Sequence, residues 1–180
     1  MIMSLSTACL YHLPLRATFR LAAEAGFEGV ELVPALELWA RGPRRVAAMA
    51  KGHGLDIYSV HQTILPVSPR GGRSGRIVDA VEIALGLGCP CVVIHGPWCL
   101  RWGDRKAQRW LRTLDACQAR LKGSGTRLAI ENPGIYSDID SHHVLGPLPL
   151  LLNFAGQRDL DITFDTCHAG TAGLDLLDAY

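Results

Sequence analysis

Short apolar runs alternate along this chain with longer stretches whose apolar residues recur about every 3.6 positions. SLSTACL (4–10) reads as a strand bounded by Tyr11-His12-Leu13-Pro14, and RATFRLAAEAG (16–26) as a helix stopped by Gly26. GVELV (29–33) is a second strand, followed by a helix over Arg44–Lys51 that Gly52 and Gly54 close. LDIYSVH (55–61) is a third strand. PVSPRGGRSG (66–75) reads as a loop, and RIVDAVEIALGLG (76–88) as a helix. CVVIH (91–95) is a fourth strand, and Asp104–Lys122 a helix. RLAIEN (127–132) is a fifth strand, separated by PGIYSDIDSHH from an apolar helix over Val144–Ala155. LDITFD (160–165) is a sixth strand, and Leu174–Tyr180 begins one more helix.

Six strands alternating with helices predict an α/β fold with a parallel sheet covered on both faces. An open doubly wound sheet and a (β/α)8 barrel both fit, and both collect chemistry at the carboxyl ends of their strands. Four successive strands end in side chains able to bind metal: His61, His95, Glu131 and Asp165. An open sheet feeds its crevice from two or three strands, so four convergent strands favour the barrel.

The composition narrows the classes. The 180 residues suggest one domain, 48% apolar and 19% charged, as in ordinary globular proteins. A net charge of +1 lacks the basic excess of nucleic-acid binders. No apolar run reaches the roughly 20 residues of a membrane helix, and MIMSLSTACLYHLPLR does not read as a signal peptide. The six cysteines, at 9, 89, 91, 99, 117 and 167, form no C-x-x-C pair. They read as reduced thiols of a cytoplasmic protein, most of them small core residues.

AAEAGFEGVEL, LDIYSVH, VVIHGP, LAIEN and TFDTCHAGTAGLDL together resemble the xylose isomerase-like TIM-barrel superfamily. That group holds sugar (phosphate) isomerases and epimerases and the endonuclease IV family. The pieces occur in the family's order and span nearly the whole chain. Such barrels run to about 250 residues. The expectation is therefore a single partial domain over 1–180, truncated after about six βα units. The ligands that the family carries on strands seven and eight have no counterpart in the sequence.

The resemblance implies a divalent metal, Mn2+, Mg2+ or Zn2+, held by Glu131, Asp165, His168, His95 and His61. Glu131 is also the catalytic carboxylate, and His61, His95, His168 and Trp98 are the substrate-binding candidates. Each has a plainer alternative. Glu131 could be salt-bridged at the rim, Asp165 an N-cap, and His168 a loop residue bonded to backbone. His61 and His95 could be structural, and Trp98 a packed loop residue. Glu31 also ends a strand, with ion pairing as its first reading. His53 lies between two glycines at a helix end and reads as a capping or exposed residue. His142 and His143 lie in a loop over the expected site.

Two basic stretches stand apart. Arg70, Arg73 and Arg76 flank the glycine-rich segment and could hold a phosphate. Arg101, Arg105, Lys106, Arg109 and Arg112, interleaved with Trp102 and Trp110, hint at nucleic acid but fit a solvated outer helix face better.

The first expectation is a divalent-metal sugar or sugar-phosphate isomerase or epimerase that moves a proton through a metal-stabilised enediolate. The second is an endonuclease IV-like zinc phosphodiesterase acting on abasic DNA, which DTCHAGTAG favours and the neutral charge disfavours. The third is a non-catalytic fragment or half-barrel that binds a partner. The expected ligand is a small sugar or its phosphate, with no membrane, and nucleic acid only under the second reading. Two bare sheet edges would promote a homo-oligomer.

Overall fold

The computed structural model describes residues 2–65 and 68–175. The strands are β1 (Ser4–Ser6), β2 (Gly29–Leu32), β3 (Asp56–His61), β4 (Cys91–His95), β5 (Arg127–Glu131) and β6 (Asp161–Thr163). The helices are α1 (Leu15–Glu24), α2 (Leu36–Arg41), α3 (Pro43–Gly52), α4 (Gly72–Leu87), α5 (Arg105–Leu121), α6 (Asp138–Ser141), α7 (Leu148–Gln157) and α8 (Thr166–Thr171). The six strands share one sheet in chain order, β1-β2-β3-β4-β5-β6. The β1–β2, β2–β3 and β5–β6 pairs are parallel. An open doubly wound sheet reverses its order at a switch point, whereas a βα barrel adds each strand beside the last. This unbroken order decides for the barrel type.

Contacts divide the chain into two compact units: Met1–Val92 with Leu121–Thr126, and Val93–Arg120 with Arg127–Tyr180. In the first, α1 buries Leu15, Thr18, Phe19 and Ala22, a stripe of i, i+3, i+4 and i+7 positions. Val30 and Leu32 of β2 are fully buried. Gly29 is required where β2 meets β3, because a Cβ there would lie 2.4 Å from the Asp56 carbonyl and 2.5 Å from the Tyr58 ring. Glu31 accepts bonds from Ser6 Oγ at 2.8 Å and Ser59 Oγ at 3.2 Å, so hydroxyls on both neighbouring strands hold it rather than an ion pair.

In the second unit Val93 and Ile94 of β4 and Leu128, Ala129, Ile130 and Glu131 of β5 are buried, as in parallel strands covered on both faces. Helix α5 turns Ala107, Trp110, Leu114 and Cys117 inward. Arg105, Lys106, Arg109 and Arg112 lie exposed on its other side. Trp110 is thus a core residue and Trp102 stacks on Phe154 at 5.2 Å, so the aromatic residues do not join the basic face as a nucleic-acid surface would need. Arg127 pairs with Asp161 at 2.7 Å and Asp159 at 3.3 Å, tying the start of β5 to β6.

Several boundaries differ from the sequence reading. β1 ends at Ser6, and Thr7–Leu10 form a 3-10 turn in which Thr7 Oγ1 accepts the Val33 amide at 2.8 Å. Helices α2 and α6 are too short to show a period. Helix α4 begins at Gly72, inside the segment read as a loop: Gly71 and Gly72 take φ of 68° and 62°, and a Cβ on Gly75 would meet Arg70 backbone at 2.8 Å. Helix α7 begins at Leu148 because Pro147 fixes its N-cap. The helix read over Leu174–Tyr180 lies largely outside the described residues, and Leu174 and Asp175 are irregular.

All six cysteines are free thiols, with Cys89, Cys99 and Cys117 buried and Cys9 and Cys167 exposed. Burial pushes the Cys89 and Cys99 thiols up from their ordinary range. No helix among the described residues is long and apolar enough to cross a membrane.

Candidate active site

The second unit brings four of the sequence candidates together at the carboxyl ends of β4, β5 and β6. Glu131 is the last residue of β5, and its side chain is only 8% exposed. A carboxylate so deeply placed needs partners. His95, which ends β4, puts Nε2 2.8 Å from Glu131 Oε2. His168 on α8 puts Nδ1 3.3 Å from Glu131 Oε1 and 3.7 Å from Asp165 Oδ2. Two imidazoles therefore partner Glu131.

Asp165 does serve as the N-cap of α8, its Oδ1 accepting the His168 amide at 2.8 Å. Oδ2 faces the His168 ring, so capping and site-forming roles coexist. The three-residue spacing has a local cause: a cap holds the amide of the third residue on, and that residue's ring then lies over the capping carboxylate.

Asn132 completes the corner. Its amide N–H bonds Thr163 O at 3.3 Å, continuing the β5–β6 ladder by one step. Pro133 follows and has no N–H to give. The Asn132 side chain takes over, donating from Nδ2 to Asp165 O at 3.0 Å and accepting the Asp165 amide on Oδ1 at 2.6 Å. Asn132 O lies 2.9 Å from His168 Nδ1. Trp110 donates its indole N–H to His95 O at 3.1 Å, fixing the end of β4.

A cleft of about 110 Å3 opens beside this corner, lined by His95, Glu131 and His168 together with Trp98, Tyr136 and His143. Trp98 is 39% exposed, with its ring 5.1 Å from that of His143. The Tyr136 ring meets His168 edge-on at 6.4 Å. Asp140 lies 3.9 Å from His143 Nδ1 and accepts from Ser137 Oγ and the Tyr136 amide, which hold its carboxyl below the usual range.

His61 belongs to the first unit, where it ends β3, is buried, and has Nδ1 2.5 Å from Gln62 O. His53 is the C-cap of α3. Arg70 pairs with the buried Asp79 of α4, which also accepts Ser68 Oγ at 2.5 Å, so it is tied to the helix that follows its loop. Asn132, Trp110 and Tyr136 were not singled out as site residues. The only signal for Asn132 was its place between Glu131 and a proline.

The donor set suits a divalent ion. Glu131, Asp165 and His168 each offer an atom within 4.8 Å of the others. Two carboxylates and an imidazole match Mn2+ or Zn2+ better than Mg2+, which favours oxygen alone.

Comparison with known proteins agrees with the fold. Residues 19–179 match the family model described as the xylose isomerase-like TIM barrel. An uncharacterised protein of Mycobacterium tuberculosis is 30% identical over 97% of this chain and 68% of its own length. A probable 3-DHS dehydratase, AsbF from Bacillus anthracis, superposes with a TM-score of 0.69 at 19% identity, over 99% of this chain and 68% of that one. The 3-keto-D-glucoside 4-epimerase YcjR from E. coli gives 0.65 at 19%, over 92% and 68%. An AP endonuclease of family 2 from Brucella melitensis gives 0.62 at 23%, over 93% and 69%. With the strand order and the match over residues 19–179 in agreement, the chain belongs to the xylose isomerase-like TIM-barrel family.

Proposed function

We propose that this chain belongs to a divalent-metal-dependent isomerase or epimerase acting on a small sugar or sugar phosphate. The supporting observation is the buried Glu131 carboxylate set between His95 and His168, with Asp165 beside it, at the ends of consecutive strands. Glu131, Asp165 and His168 would hold the ion, with His95 adjacent. His61, which ends β3, is carried in the proposal with them. A bound divalent ion supplies Lewis acidity toward two neighbouring substrate oxygens.

The chain's own residues supply the rest. Glu131 takes a proton from the carbon next to a carbonyl and returns it to the neighbouring carbon or the opposite face. His95 donates to Glu131 and fixes which oxygen faces the cleft. Trp98 offers a flat apolar surface to the C–H face of a sugar ring. YcjR, a sugar epimerase by its description, supports this substrate class.

A second reading, a zinc phosphodiesterase on abasic DNA, is favoured by Asp165-Thr166-Cys167-His168 and by the likeness to the Brucella protein. One experiment separates the two. Ketoses and ketose phosphates with Mn2+ or Mg2+ should interconvert, and an abasic duplex should stay intact. Nicking of that duplex, abolished by zinc chelation, would reverse the ranking.

A further inference from the structure

We infer that His143 is a substrate contact of the cleft: its ring, backed by Asp140 and laid against Trp98, receives a neutral hydroxyl group of the ligand. The inference rests on reading the cleft beside Glu131 as the substrate site. It goes beyond that reading by naming a second polar contact, remote from the metal-binding candidates in sequence, and the kind of group it takes.

The turn that follows α6 holds this ring in place. The His143 amide donates to Asp140 O at 3.2 Å, and the His143 carbonyl accepts the Gly146 amide at 2.9 Å. The Val144 amide donates to Cys99 O at 3.0 Å, which joins the turn to the loop that carries Trp98. Gly146 is required for so tight a path, because a Cβ there would lie 2.6 Å from Asp140 O. The His143 and Trp98 rings then meet with centroids 5.1 Å apart and planes tilted by 57°. A side chain fixed on both sides by main-chain bonds loses little freedom when a ligand arrives.

The ring has bonding capacity left over. Its side chain is 17% exposed and lines the cleft. Among the described residues neither ring nitrogen has a hydrogen-bond partner: Asp140 Oδ1 stands 3.9 Å from Nδ1, an ion-pair distance too long for a hydrogen bond. A mostly buried polar group gains from any partner that reaches it. A hydroxyl both donates and accepts, so it suits the imidazole in either protonation state. Asp140 accepts from Ser137 Oγ and the Tyr136 amide, which keep it ionised at neutral pH. With that carboxylate alongside, even a protonated His143 leaves the pair without net positive charge, so an anionic phosphate gains little there. Trp98, beside the ring, covers the C–H face of the same sugar.

The test uses the 180-residue chain with carbon-13-labelled histidine, titrated in the presence of Mg2+ with the D-ketohexoses fructose, psicose, sorbose and tagatose. With a sugar that binds, the His143 ring signals should move and saturate together with those of His95 and His168. Inorganic phosphate, added without metal at fixed pH, should leave the His143 signals in place; a saturable shift would overturn the hydroxyl assignment. His143→Phe keeps a ring against Trp98 but has no nitrogen. It should weaken ketohexose binding about 2–10-fold, the equivalent of one hydrogen bond, and leave Mg2+ affinity and Tm unchanged. His143→Gln returns a donor and an acceptor and should recover part of that loss; it also serves should the phenylalanine variant fail to fold. A ketohexose that shifts His95 and His168 but not His143, or that binds His143→Phe at full strength, would overturn the inference while the site still stands. Glu131→Gln in the same titration tests the underlying reading. If it leaves Mg2+ and ketohexose affinity unchanged, or if no ketohexose binds the unsubstituted protein, the site reading fails and the inference with it.

Discussion

At the scale of single residues, the proposal makes Glu131 and His53 behave differently. Glu131→Gln removes a charged group at the centre of the cluster, whereas His53 is a helix C-cap in the first unit. Calorimetric titration with Mn2+ and Zn2+ should show at least about a 100-fold loss for Glu131→Gln, above the cost of losing a supporting partner, and none for His53→Ala. Equal losses would count against the proposal. Trp110 gives a second expectation. Trp110→Phe keeps most of the buried ring but deletes the donor to the His95 carbonyl. Urea unfolding should show a cost of about 1–3 kcal/mol, the range for leaving one buried acceptor without its donor. Candidates that end a strand or follow a short motif were legible in the sequence, because strand ends and caps are local signals. Asn132 was not. Its side chain bonds a backbone 33 residues away, and no periodicity encodes that pairing.

At the scale of elements, strand β4 was read to the residue, since an unbroken apolar run between Pro90 and Gly96 has sharp ends. Helix α2 was missed because its six residues bury only Leu38, too little for an amphipathic pattern. Yet α2 has a task. Glu37 Oε2 accepts the Leu15 amide at 2.8 Å, and so caps α1, whose own N-cap is Pro14 with no side-chain bond. The Leu15 amide, helped by Arg41, holds the Glu37 carboxyl below its ordinary range. A folded pKa below the unfolded one stabilises at neutral pH, and the gain is lost as pH falls from the unfolded value through the folded one. Glu37→Gln should therefore lower stability at pH 7 by about 0.5–1 kcal/mol, the low end for a cap because the side chain is 26% exposed. The gap should close as the pH falls below roughly 4. Thermal unfolding of both proteins across that range measures it, and a gap that widened in acid would contradict the assignment.

At the scale of the whole molecule, the fold class was legible because six βα alternations leave few topologies, and the run of polar strand ends chose among them. What could not be read was which compact unit each strand would join, since that depends on packing between side chains far apart in sequence. In the six-stranded sheet, β1 and β6 are the outer strands. Outer strands offer backbone donors and acceptors to other chains. A polypeptide of residues 1–180 alone should self-associate as its concentration rises, by sedimentation velocity. A monodisperse monomer at all concentrations would rule this out.

The position of Trp98 has an optical consequence. Of the four indoles, this is the one that lines the cleft, while Trp110 is 4% exposed in the core and Trp102 is stacked on Phe154. Under the proposed function its emission should change when a ligand seats between it and Glu131. Candidate sugars and their phosphates can then be ranked by a change in fluorescence that Trp98→Phe abolishes, with Trp110 as the internal reference for the folded state.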